Sequence, residues 1–142
     1  MIKLSREDIK NVIPHREPFL FVDEITECIP GEYAKGVKRV SEDEYYFKGH
    51  FPLNPVMPGV IILETLAQAG AVSILMMQEH KGKIVMFAGI EKARFKRVVR
   101  PGEILSLEVK LDKFKMNIGK AHACAKVGTE TACTAEFLFT VV

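Results

Sequence analysis

The stretch GVIILETLAQAGAVSILMM, residues 59–77, restricts this chain more than any other, because its only charged residue is Glu64. Such a run approaches the ~20 residues that a membrane span needs. Against a span, Glu64, Thr65, Gln68 and Ser73 interrupt it, and strongly patterned amphipathic segments follow. A helix that is apolar all round also suits the buried centre of a soluble domain, which is the expectation here. Pro58 and Gly59 fit its start, since proline at the first helical position gives up only an N–H that would be unpaired anyway. The pattern predicts a helix from about residue 58 to 79.

The segments around that helix read mostly as strands. SREDIKNVIP opens with Ser5 and Asp8 at capping-box spacing and stops at Pro14, which predicts a short first helix. PFLFVDEITECI and EYAKGVKRVS follow as two strands turned at Pro30-Gly31. Beyond Gly82 the period becomes two. KIVMFAGIEKARF is one strand or two, and EILSLEVKLDKF sets Leu105, Leu107, Val109 and Leu111 on one face. KAHACAKV and TACTAEFLFTVV form a last hairpin across Gly128. The 142 residues therefore make one domain, 1–142, of the α+β class: about six strands in an antiparallel sheet wrapped around one long helix.

Charge and cysteines narrow the function classes. Twenty basic residues against eighteen acidic leave +2, too balanced for a nucleic-acid binder. Cys28, Cys124 and Cys133 are odd in number and lack CxxC spacing, so neither a disulfide framework nor a zinc site is expected. Reduced thiols point to a reducing compartment, and the charges within MIKLSREDIK argue against a secretion signal. A cytoplasmic location is the expectation.

Two residues stand out for chemistry. His50 lies in GHFPLNPVMPG, residues 49–59, where Pro52, Pro55 and Pro58 exclude regular structure and stiffen the backbone. Glu64 follows about one and a half turns into the apolar helix, where lost hydration favours its neutral, proton-donating form. Singly, each is more often structural. Together, a stiffly held base leading into a helix with a raised acid forms a usable pair for removing one proton and supplying another. Free N–H groups at Gly59 and Val60 could polarise a carbonyl oxygen. Gln68, one turn beyond Glu64, could orient it or satisfy a neighbour. His15, His80 and His122 read as structural. The small residues AQAGA, 67–71, fit either a homodimer contact or tight core packing. EKARFKRVVR, residues 91–100, carries Lys92, Arg94, Lys96, Arg97 and Arg100 against one acid, Glu91. Lys92, Arg94 and Lys96 alternate, so in a regular strand they share a face, either solvated or docking an anionic partner.

These residues carry a resemblance. PHREPFLFVDEI, GHFPLNPVMPGV, ETLAQ and ARFKRVVRPGE, in this order and spread over nearly the whole chain, resemble the bacterial 3-hydroxyacyl-acyl-carrier-protein dehydratases of type II fatty acid synthesis. They look like the branch without obligatory isomerisation, because the isomerising branch has aspartate in place of Glu64. The resemblance implies a hot-dog fold, His50 as catalytic base and Glu64 as catalytic acid. It implies no metal or redox cofactor, with the substrate carried on the phosphopantetheine arm of acyl carrier protein. It also implies dimers whose sites take histidine and acid from different chains, commonly three dimers to a hexamer. Val98 stands where the family often has proline, and Arg100 where an apolar residue is common. A hot-dog thioesterase and a non-catalytic acyl-binding module are the rival readings.

Overall fold

The computed structural model describes residues 1–142, the side chain of Lys113 apart. Seven strands and two α-helices follow one another: β1 (Ile2–Leu4), α1 (Arg6–Lys10), β2 (Glu24–Ile29), β3 (Tyr33–Arg39), α2 (Gly59–Leu75), β4 (Val85–Phe95), β5 (Ile104–Lys115), β6 (Ile118–Val127) and β7 (Glu130–Val141). All strands belong to one antiparallel sheet in the order β1-β2-β3-β5-β6-β7-β4, which leaves β1 and β4 as edges. Helix α2 packs against the strands from β2 to β7, so the sheet bends around it. This is the hot-dog arrangement expected from the sequence.

The packing explains the apolar run. From Ile62 to Leu75 every helix residue is buried except Glu64 and Ala67. No helix of the described residues is long and apolar enough to cross a membrane. The helix ends four residues sooner than expected, because Met77 turns to extended backbone at ψ 134° and a separate 3₁₀ turn spans Gln78–His80. The 29–31 turn docks beside the helix end, with Ser73 Oγ donating to Ile29 O at 3.0 Å. Buried His80 then packs edge-on against Phe114, 4.6 Å between ring centroids.

Two further differences have identifiable causes. The strand expected over residues 18–29 begins only at Glu24. Residues 19–22 give their backbone groups to side chains instead: Gln68 takes Phe19 and Phe21, while Arg6 donates to Leu20 O and Val22 O. Strand β1, with three residues, is too short for a period-two signal. The first helix forms as expected, with Ser5 and Asp8 completing a reciprocal capping box. The peptides Glu17–Pro18 and His50–Phe51 are cis. All three cysteines are free, and burial raises the Cys28 and Cys133 thiols, Cys133 to about 11.

Gly36 of β3 lies tight against the neighbouring strand. A Cβ there would sit 2.5 Å from the Glu24 carbonyl oxygen, a backbone atom that cannot swing aside. Gly36→Ala should therefore force β2 and β3 apart and lower stability by about 1–3 kcal/mol. The readout is a reduced denaturant midpoint at unchanged slope; an unaltered midpoint would show that the two strands separate without cost.

Candidate active site

Helix α2 and the loop before it place the expected residues at two separate cavities. The first, of about 420 Å³, is bordered by Glu64, Ala67, Gln68 and Gly70 of α2, by residues 84–87 at the start of β4, and by His15. The two helix positions left open in the core, Glu64 and Ala67, both face it. The small residues have a packing reason as well. A Cβ on Gly70 would come within 2.9 Å of Val109, so strand β5 lies directly on the helix there.

Glu64 is not isolated among apolar groups, as its sequence surroundings suggested. Its Oε2 accepts from Gln68 Nε2 at 3.0 Å and lies 3.5 Å from His15 Nε2. Gln68 is 1% exposed and fully engaged: Nε2 also donates to Phe19 O, and Oε1 accepts from Phe21 N, both at 2.8 Å. Of the two readings for Gln68, orienting Glu64 or satisfying a neighbour, the contacts fit both, one amide joining helix and loop while touching the Glu64 carboxyl. His15 was read as structural, yet it faces Glu64 across the same cavity. Only its place in PHREPF carried any signal, since nothing local ties residue 15 to residue 64.

His50 lines a second cavity of about 330 Å³, with Gly59 and Val60 of the helix start and Phe95 at the end of β4. Its loop is closely tied. Phe51 and Asn54 exchange backbone hydrogen bonds, Val56 N donates to His50 O at 2.9 Å, and Met57 N donates to Val99 O at 2.8 Å. The ring stacks on Phe51, with centroids 4.1 Å apart, and Nδ1 is 2.9 Å from Val56 O. A carbonyl only accepts, so Nδ1 carries the hydrogen and Nε2 keeps a free lone pair in the neutral ring. Gly59 is glycine because the Phe95 ring lies where a Cβ would be, 2.7 Å away. Ile61 and Ile62 donate to Pro58 O, which leaves the Gly59 and Val60 N–H groups without a carbonyl among the described residues.

His50 and Glu64 thus line different cavities of this chain. The basic segment also differs from a uniform face. A bulge between Glu91 and Arg94, with Lys92 at φ 53°, breaks the alternation expected of Lys92, Arg94 and Lys96, and Lys96 lies beyond the strand end at Phe95. Lys92 pairs with Glu136 at 3.1 Å, Arg97 with Glu103 at 2.7 Å, and Arg100 donates to Asn54 Oδ1 at 2.7 Å. Arg94 and Lys96 are exposed and carry no ion pair among the described residues.

Residues 13–136 match the FabA-like domain family. The chain is 59% identical over 138 residues to the 3-hydroxyacyl-(acyl-carrier-protein) dehydratase FabZ of Chloroflexus aggregans, covering 97% of this chain and 96% of that one. It belongs to the FabA-like family, among the FabZ dehydratases. The FabZ dehydratase of Caldanaerobacter subterraneus is 51% identical over 96% of both chains. The dehydratase heterocomplex ApeI:P from Xenorhabdus doucetiae shares the fold at a TM-score of 0.76 and 16% identity, over 93% of this chain and 89% of that one. An uncharacterized protein from Pyrococcus horikoshii shares it at 0.69 and 13% identity, over 100% and 95%.

The Gln68 amide offers a direct check on this geometry. Gln68→Glu replaces the donor facing Phe19 O and Glu64 with an oxygen, so two acceptors confront it whenever the new carboxyl is ionised. The substitution should cost about 1–3 kcal/mol at pH 8 and recover in part at pH 5, where protonation restores a donor. Denaturation at the two pH values measures this; equal loss at both would mean that the amide merely fills space.

Proposed function

We propose that this chain dehydrates (3R)-3-hydroxyacyl thioesters on acyl carrier protein to trans-2-enoyl thioesters. The observation that carries this reading is the fixed His50 tautomer, with a free Nε2 aimed from a stiffened loop beside a helix start. In a chain among the FabZ dehydratases, this suits a base for the weakly acidic C–H next to a thioester carbonyl. His50 Nε2 takes that proton, and the C–H electron pair becomes the new double bond. Glu64 gives its proton to the 3-hydroxyl, which leaves as water with the C–O electron pair. The N–H groups of Gly59 and Val60 stabilise the charge that develops on the thioester oxygen. His50 and Glu64 move both protons, so the chemistry calls for no metal or redox group, and the apolar first cavity takes the acyl chain.

The separation of the two residues supports a site shared between copies. Edge strand β4 leaves Met86, Phe87, Ile90 and Phe95 exposed, an apolar edge of the kind that pairs with another strand. The Glu64 cavity borders β4 at residues 84–87, and the His50 cavity borders it at Phe95. Antiparallel pairing of two β4 strands about a two-fold axis lays the start of one beside the end of the other. Each composite site then receives Glu64 from one copy and His50 from the other. Three such dimers in a hexamer, working in the cytoplasm, complete the reading.

Incubation with 3-hydroxyacyl thioesters should produce the absorbance of a conjugated enoyl thioester; release of free thiol would indicate a thioesterase instead, and binding without turnover an acyl-binding module. His50→Ala and Glu64→Gln should each lower turnover by about 10² or more at unchanged oligomer size. Mixing these two inactive variants should restore part of the activity. Confirmed subunit exchange with no recovery would refute the shared site.

Arg94 and Lys96 are exposed and engaged by no other side chain among the described residues, and we assign them the main share in docking the acidic carrier protein. Lys92, Arg97 and Arg100 contribute while held by their neighbours. Exposed charges act mostly on encounter, and salt with a Debye length of ~8 Å at physiological strength screens them. Reversing Arg94 and Lys96 to glutamate should lower kcat/KM for carrier-bound substrates, more at low salt than at high salt. Substrates on a short pantetheine should be unaffected, and an equal loss on both types would remove the docking role.

A further inference from the structure

His15 is the only titratable side chain besides Glu64 that borders the first cavity among the described residues, and the proton movements above leave it without a task. Its loop is fixed from both sides. Arg16 donates to the carbonyls of Lys10, Ile13 and His15, which turns its guanidinium away from the cavity, while Gln68 holds Phe19 and Phe21. The remaining neighbours from α2, β4 and β7 around this cavity are uncharged.

The ring's surroundings select its tautomer. Nδ1 is buried without a hydrogen-bond partner among the described residues. A ring with its only hydrogen on Nδ1 would turn the Nε2 lone pair toward a carboxylate oxygen, two acceptors face to face. The hydrogen therefore sits on Nε2, the nitrogen 3.5 Å from Glu64 Oε2. Gln68 Nε2 addresses that same oxygen, so both N–H groups converge on Oε2, while Oε1 has no partner among the described residues.

We propose that His15 is a positioning residue for the acid, which deepens the dehydration reading and rests on it. With Gln68 it turns Oε1 toward the substrate as the oxygen that carries the transferable proton. When that proton passes to the departing hydroxyl, negative charge appears on the Glu64 carboxyl. Two donors already in place then meet it on Oε2. The 3.5 Å separation shortens as the charge develops, as catalytic hydrogen bonds that are long without substrate commonly do.

His15→Phe keeps the ring's bulk and removes the N–H, whereas His15→Gln puts an amide N–H where Nε2 stood. The Phe variant should lose about tenfold in kcat, the scale of one hydrogen bond to a charged group. Its pH–kcat profile should move to higher pH, since a carboxylate short of a donor holds its proton more tightly. The Gln variant should keep most of the activity and the original profile. If the Phe variant does not fold, His15→Asn takes its place, with an amide one methylene too short to reach Glu64. Unchanged kcat and profile in the Phe or Asn variant would overturn the proposal. So would equal losses in all variants without a shift of the profile, which would make His15 a packing residue. Wild-type chain assayed alongside separates the two levels: if it yields no enoyl product, the dehydration reading falls and takes this inference with it.

Discussion

One buried amide, Gln68, sets the geometry on which the rest of this molecule depends. Its three hydrogen bonds join the centre of α2 to the loop at Phe19 and Phe21 and to the Glu64 carboxyl. Leaving any of those groups unpaired inside the core would cost about 1–3 kcal/mol, whereas an exposed ion pair of the kind seen along the sheet contributes about 0–1 kcal/mol. The loop that carries His15 is consequently held against the helix by its own backbone polar groups. That loop gives up strand pairing before Glu24 for this purpose. Fold and acid are fixed by the same side chain.

The second constraint is the unpaired edge at β4. A strand of eleven residues with apolar side chains uncovered would invite aggregation if nothing paired with it. The bulge between Glu91 and Arg94 limits the regular ladder, with Lys92 at positive φ. Each end of this edge borders one of the two cavities. The His50 and Glu64 cavities border opposite ends of one strand, so the proposed two-fold pairing of β4 edges would bring the His50 cavity of one copy beside the Glu64 cavity of the other.

How far this was legible in the sequence follows from the range of the interactions. The apolar helix, the cap at Ser5 and the alternation at Leu105, Leu107 and Val109 are local patterns, and each appears as the residues implied. The candidate base and acid stood out because of local rigidity and local hydrophobicity. What escaped was long-range. The delayed start of β2 depends on side chains at residues 6 and 68, and the facing of His15 and Glu64 spans 49 positions. The polar company of Glu64 was hidden for the same reason. Its neighbours in sequence are mostly apolar, and one of its two polar neighbours in space comes from another part of the chain.

The segment after β4 shows how one stretch serves two requirements. Met57 N reaches Val99 O, and Arg100 reaches Asn54 within the His50 loop, so residues 99 and 100 brace that loop from outside. Glu103 folds back to accept from Arg97 and from the Arg100 backbone, which closes the turn at Pro101-Gly102. The sequence resemblance implies proline at position 98 and an apolar residue at position 100, where this chain has Val98 and Arg100. Stiffness that a proline would supply through its fixed φ is supplied in this chain by a carboxylate and two arginines. Within this turn a carboxylate pairs with the charge of Arg97, whereas Arg100 stays exposed with its guanidinium on the neutral Asn54 amide. The same residues that look from sequence like one basic patch divide, in the fold, into a support for the His50 loop and a smaller surface open to solvent.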